Sequence, residues 1–242
     1  MRSETIQVTG VSKSYSKKQI LNQIDFSTQS GQIYGMIGPS GSGKTTFIKM
    51  LVGMEKPDAG HVQVLNTPMP NLTILQKIGY MAQSDALYPT LTGKENLQFF
   101  AAVFKLSKSE QKERIAYTAQ LVNLEEDLNK KVATYSGGMK RRLSLAIALI
   151  QNPEILILDE PTVGIDPELR QQIWQELLRL KEQEGKTILV TTHVMDEADR
   201  CDFISMLRDG QIIAHGSPED LKKEFHAKSL DEVFLLAGRE AR

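Results

Sequence analysis

The residues with the clearest chemical purpose are Gly38, Pro39, Ser40, Gly41, Ser42, Gly43, Lys44, Thr45 and Thr46, which read G-x-x-x-x-G-K-T followed by a second threonine. Glycines at this spacing let the backbone turn tightly and bring several N–H groups toward one point. A helix that starts there adds unpaired N–H groups and a partial positive charge, which completes a nest for a polyphosphate. In such a nest Lys44 reaches the β- and γ-phosphates and the Thr45 hydroxyl ligates Mg²⁺. The pattern carries this meaning only between a strand and a helix. Residues 33–37, all apolar or Gly, read as the buried strand, and residues 47–52 read as the opening of the helix.

Four other places hold candidate chemistry. Asp159 and Glu160 follow the aliphatic run 155–158. Such a run reads as a buried parallel strand, and ligands of open α/β sheets bind at the carboxyl ends of strands. Asp159 suits Mg²⁺, directly or through its outer shell, and Glu160 suits orienting and deprotonating a water; the pair could instead cap the next turn. Ser136, followed by Gly137 and Gly138, opens a helix through 150 and is either a second anion site or an ordinary N-cap. His193 ends the buried strand 187–192, where it can meet a phosphate or serve the structure alone. Tyr15 is the one aromatic in the polar turn 12–18 and either packs half-buried or stacks on a base.

The elements that position these residues follow from periodicity and turn chemistry. Residues 6–11 and 20–26 read as short strands flanking the polar turn. A turn at 56–60 precedes a strand at 61–65, and residues 78–82 form a strand that ends at Gln83. From 84 to 151 the period is helical. Thr92 with Glu95 and Ser107 with Glu110 have capping-box spacing, and the Phe and Val residues that follow are expected in the core. Residues 124–134 read as a loop, and Lys140, Arg141 and Arg142 as a solvated helix face. A helix over 167–181 buries Trp174. A short acidic helix at 196–199, a hairpin around Arg208, Asp209 and Gly210, and a last helix from Ser217 complete the order. The tail from 229 holds a small apolar patch and then charges.

The chain has 242 residues, 40% hydrophobic and 24% charged, as in ordinary globular proteins. A net charge of −1 argues against a nucleic-acid partner, which needs a basic surface. The single cysteine, Cys201, allows no internal disulfide and reads as a small packed hydrophobe. No apolar run approaches the ~18–20 residues of a membrane span, and no signal-peptide core follows Met1 and Arg2. Work at a membrane would then require spans from another chain.

Taken in order, the phosphate loop, Gln83, the Ser-Gly-Gly helix start, the Asp-Glu strand end and the strand-ending His resemble an ATP-binding cassette, the nucleotide-binding subunit of ABC transporters. The resemblance runs from Tyr15 to about Phe225. Its most specific piece is Tyr135 to Met139, similar to the family signature Leu-Ser-Gly-Gly-Gln. It implies an α/β fold: a P-loop NTPase core with a mainly parallel sheet, an N-terminal antiparallel β subdomain and an inserted helical subdomain at about 84–151. The cassette would span 1–225, with a short extension at 226–242.

The same resemblance implies roles. Tyr15 matches the aromatic that stacks on adenine, and residues 38–46 match Walker A. Gln83 matches the glutamine that contacts Mg²⁺ or the attacking water. Asp159 matches the Walker B aspartate, Glu160 the catalytic base, and His193 the switch histidine that senses the γ-phosphate. Asp166 matches the D-loop aspartate at the dimer seam, and Ser136, Gly137 and Gly138 face the ATP of a second cassette. ATP and Mg²⁺ are the implied cofactors. The implied partners are a second cassette and a separate membrane permease, met at the cytoplasmic face by the segment around Tyr88, Pro89 and Leu91. Met139, Tyr135 and Gly164 depart from the commonest Gln, Leu and Ala. These departures, and the tail 229–239, resemble the branch of exporters of drugs, antibiotics, lipids or polysaccharides.

Two other readings compete. A soluble cassette ATPase of DNA repair or translation usually has two cassettes or a long coiled-coil insertion, and neither is present. A regulatory GTPase needs Asn-Lys-x-Asp, and residues 129–132 read Asn-Lys-Lys-Val.

Overall fold

The computed structural model describes residues 3–16, 18–84 and 86–240. Readings that rest on Met1, Arg2, Lys17, Asp85, Ala241 or Arg242 lie outside the described residues. In chain order the elements begin β1 (Glu4–Tyr15), β2 (Lys18–Gln29), β3 (Ile33–Ile37), α1 (Lys44–Leu51), β4 (Ala59–Val64), β5 (Thr67–Pro68), α2 (Leu72–Leu75) and β6 (Ile78–Met81). Next come α3 (Gly93–Val103), α4 (Lys108–Leu121), α5 (Gly137–Leu149), β7 (Ile155–Asp159), α6 (Pro167–Glu184) and β8 (Thr187–Thr192). The chain closes with α7 (Met195–Ala198), β9 (Phe203–Arg208), β10 (Gln211–Gly216), α8 (Pro218–Glu224) and α9 (Leu230–Glu240). Two compact units form, Met1–Ile74 with Thr187–Arg242, and Leu75–Lys186.

In the first unit β3 runs parallel to both β8 and β9, and β10 adds an antiparallel edge beside β9. Every residue of β3 and β8 is buried, which is why neither strand alternates between apolar and charged residues. Ile37 pairs with Thr192, so Gly38 and His193 leave the sheet side by side at the carboxyl ends of adjacent strands. A second, antiparallel sheet orders β2, β1, β4 and β5.

Three expectations change in this unit. The polar turn 12–18 is instead the end of a longer hairpin, in which Tyr15 pairs with Lys18. Ser14 is exposed on β1, and Asp58 satisfies its N–H at 2.7 Å. The tail forms α9, whose Leu230, Val233 and Ala237 are buried at helical spacing. The strand expected at 61–65 starts two residues earlier, at Ala59.

In the second unit β6 and β7 run parallel, with Met81 opposite Leu158. Both capping boxes form: Thr92 and Glu95 open α3, and Ser107 and Glu110 open α4. Asp166 caps α6, with Pro167 at its first turn and the left-handed Gly185 at its end, and Trp174 is fully buried on it. The loop expected at 124–134 contains two short 3₁₀ turns, Glu125–Asp127 and Val132–Thr134.

Two expectations fail here. Phe99 and Val103 are 42% and 57% exposed, and Phe99 packs edge-on against Tyr88 and Phe100 at the surface instead of entering the core. Arg141 does not lie on a solvated face. It is 6% exposed, and its guanidinium bonds to backbone carbonyls. Its neighbour Arg142 donates to Val122 O and Asn123 O at the end of α4, at 3.1 and 2.6 Å. Among the described residues no helix is long and apolar enough to cross a membrane.

Candidate functional site

The phosphate loop of the first unit has the geometry its composition predicts. Gly43 sits at φ 111°, and a Cβ there would come within 2.6 Å of Leu21 Cδ2, so glycine is required. It N-caps α1 without a side-chain bond, and a glycine-led helix start of this kind suits an anion. The Lys44 ammonium is held over the loop, 2.7 Å from Gly38 O and 3.1 Å from Pro39 O. Ser42 Oγ is buried and has no hydrogen-bond partner. An orphaned hydroxyl, an ammonium resting on loop carbonyls and an uncapped helix start together fit a polyphosphate. Thr45, half-buried beside them, fits a Mg²⁺ ligand.

Tyr15 is 42% exposed at the end of β1, so its ring is open to a planar ligand. Lys13 Nζ lies 5.5 Å from the ring centroid and is anchored by Lys56 O at 2.7 Å and Asp58 Oδ1 at 3.1 Å. Partial burial, and next the nearby Glu55 carboxylate, push the Tyr15 hydroxyl above its ordinary pKa. His193 is exposed at the end of β8. The turn after it is fixed: Thr192 Oγ1 accepts from the Val194 N–H at 3.0 Å and donates to Glu197 at 2.8 Å.

The second unit gathers the remaining predicted residues. The register of β6 and β7 brings Gln83 and Glu160 to one end of the pair, and Gln83 Nε2 donates to Glu160 Oε2 at 3.3 Å. Asp159 is 1% exposed. Burial, and next the charge of Asp159, push the Tyr80 hydroxyl up to about 12, so it stays protonated beside that carboxylate. Glu160 has φ 53°, a left-handed conformation uncommon for a side-chain-bearing residue. Among the described non-glycine residues that share it are several turn residues, but none of the other site candidates.

Ser136 N-caps α5 by accepting from the Met139 N–H at 3.2 Å. A Cβ on Gly137 would meet nothing within 4 Å, whereas one on Gly138 would lie 3.3 Å from Gly164 O. Gly164 itself has φ 75°, which accounts for glycine there in place of alanine. Tyr135, where leucine is commoner, donates its hydroxyl to Asp127 O at 2.8 Å, and a Cβ on Gly93 would stand 2.3 Å from the Tyr135 hydroxyl oxygen. Asp166 Oδ1 accepts from the Leu169 N–H at 3.0 Å. The sequence reading missed Arg141; four like-facing carbonyls cannot be read from a basic triplet.

A phosphate loop between a buried parallel strand and an uncapped helix makes this a P-loop nucleotide-binding protein. Residues 21–163 match the family described as ABC transporter. The Nod factor export ATP-binding protein I of Burkholderia orbicola (strain AU 1054) is 42% identical over 219 residues, 89% of this chain and 72% of that protein. The protein of the same name from Rhizobium johnstonii is 44% identical over 222 residues, 90% of this chain and 71% of that one. The chain belongs to the ABC transporter ATP-binding family and is an ATPase.

Solved structures agree. An ATP-binding subunit of an ABC transporter superposes with a TM-score of 0.89 at 28% identity, covering 97% of this chain and 99% of that one. A dimeric ATP-binding cassette in a post-hydrolysis state, bound to ADP and Pi, gives 0.82 at 30% identity, covering 88% and 98%.

Proposed function

We propose that the chain powers export through a separate membrane permease, at the cytoplasmic face of the membrane, by ATP-driven closure of a cassette dimer. The observation that carries the reading is the identity above 40%, over about nine-tenths of the chain, with proteins named for Nod factor export. In this reading Tyr15 stacks on adenine and the 38–46 backbone with Lys44 holds the phosphates. Thr45, Gln83 and Asp159 serve Mg²⁺, which when bound neutralises charge on the β- and γ-phosphate oxygens. Glu160 takes the proton of the attacking water, with its carboxylate oriented by the Gln83 amide. His193 senses the γ-phosphate.

Ser136, Gly137 and Gly138 face the ATP of the second cassette, with Asp166 near the seam. Contacts to a γ-phosphate made only in the closed dimer favour closure, and hydrolysis removes them, which is a differential-affinity switch. The exposed Tyr88 and Phe99, packed ring to ring, support a permease contact, because a solvent-facing aromatic patch marks an interaction surface.

The test is affinity capture from detergent-solubilised native membranes, with partners identified by mass spectrometry. A polytopic membrane protein that co-purifies and stimulates ATP hydrolysis when reconstituted supports the reading. Recovery of ribosomes or DNA, with no membrane partner, favours the soluble cassette ATPase.

A further inference from the structure

Arg141 is a buried cation that no role above uses. It lies one turn into α5, the helix that Ser136 caps. Its Nη1 donates to Ala82 O at 2.7 Å and to Gln83 O at 2.9 Å. Its Nη2 donates to Glu160 O at 2.7 Å and also to Asp159 O. One planar fork therefore holds the carboxyl ends of β6 and β7 together, at the two residues whose side chains meet 3.3 Å apart.

The strain at Glu160 gives this fork a purpose. A left-handed side-chain-bearing residue persists only where its surroundings over-determine it. The carbonyls on both sides of the Glu160 Cα, those of Asp159 and Glu160, accept from the same Nη2. Without those donors the segment is free to relax toward an ordinary φ, and the carboxylate swings away from the Gln83 amide. An ammonium cannot replace the fork, because its three donors radiate from one point and cannot reach all four carbonyls in the plane of a guanidinium.

We propose that Arg141 is a positioning residue for ATP hydrolysis, a clasp from α5 that fixes the backbone of Gln83 and Glu160 and so aims the Glu160 carboxylate. The proposal rests on Glu160 acting as the base. The clasp also ties the base to the helix that begins at Ser136, so a shift of that helix start reaches Glu160 directly.

The test compares the full-length wild type with Arg141→Gln, Arg141→Lys, Glu160→Gln and the double variant Arg141→Gln/Glu160→Gln. Misplacing a catalytic group by about 1 Å costs roughly 100-fold, so kcat of Arg141→Gln should fall by about 10- to 100-fold. The dissociation constant for ATP without Mg²⁺ should stay within about 2-fold, since the clasp touches Gln83 and Asp159, which serve Mg²⁺, but no group of the phosphate loop. Arg141→Lys should stay closer to Arg141→Gln than to wild type, and it carries the test if Arg141→Gln does not fold. In the Glu160→Gln background, Arg141→Gln should add less than about 3-fold further loss, because residues acting as one unit are not additive. Unchanged kcat, a parallel loss of Mg²⁺-free ATP binding, or a fully additive loss overturns the clasp while leaving Glu160 as the base. Wild-type hydrolysis by Glu160→Gln overturns the base assignment itself.

Discussion

The side-chain amide of Gln83 lies 3.3 Å from Oε2 of Glu160. The two residues are 77 positions apart in sequence, and parallel pairing of Met81 with Leu158 delivers them to the same strand ends. A bond from the amide fixes the direction in which that carboxylate points, and orientation is what a general base needs.

Tyr15→Ala should weaken ATP by roughly 1–3 kcal/mol, the worth of one aromatic–base stack. Calorimetric titration with ATP and with inorganic tripolyphosphate separates the effect from damage to the phosphate loop. The expected outcome is weaker ATP and unchanged tripolyphosphate. Unchanged ATP affinity reassigns the ring to packing.

The signature's unusual tyrosine predicts its own suppressor. A methyl on Gly93 would stand 2.3 Å from the Tyr135 hydroxyl, so Gly93→Ala should destabilise by about 1–3 kcal/mol through overpacking. Tyr135→Phe removes the oxygen and the bond to Asp127 O, costing about 1 kcal/mol alone. Combined with Gly93→Ala it should recover part of that variant's loss. Denaturant melts of the four proteins decide, and strict additivity contradicts the contact.

The Thr92–Glu95 box gives a pH signature. The Thr92 N–H donates to Glu95 Oε2 at 2.7 Å and, with the Thr92 hydroxyl, holds that carboxyl below its ordinary pKa. A depressed folded-state value means the stabilisation is complete above the unfolded pKa of about 4.3 and is lost as pH falls through the folded one. Thermal midpoints of wild type and Glu95→Gln should therefore differ at pH 7 and converge toward about pH 3. A gap that stays constant over that range rules out the charged capping bond.

Much of this was legible in the sequence where one local rule decided the outcome. The phosphate loop needs only glycine spacing between a strand and a helix, and both capping boxes need only Thr or Ser with Glu three residues on. Elements were misread where the partner lies far along the chain. Ser14 looks like a turn residue until Asp58 is seen to bond it, and Arg141 looks solvated until the ends of β6 and β7 supply its carbonyls. Phe99 reads as core because helical periodicity does not say which apolar face a partner covers. The helix at the tail was within reach, since Leu230, Val233 and Ala237 already have helical spacing.

In the proposed cycle ATP closes a cassette dimer and Glu160 reopens it through hydrolysis. Light scattering coupled to gel filtration of Glu160→Gln, with Mg²⁺ and either ATP or ADP, tests it most directly. The expected outcome is a dimer with ATP, a monomer with ADP, and hydrolysis reduced by about 100-fold or more. A variant that stays monomeric with bound ATP, or hydrolyses it at the wild-type rate, contradicts the account.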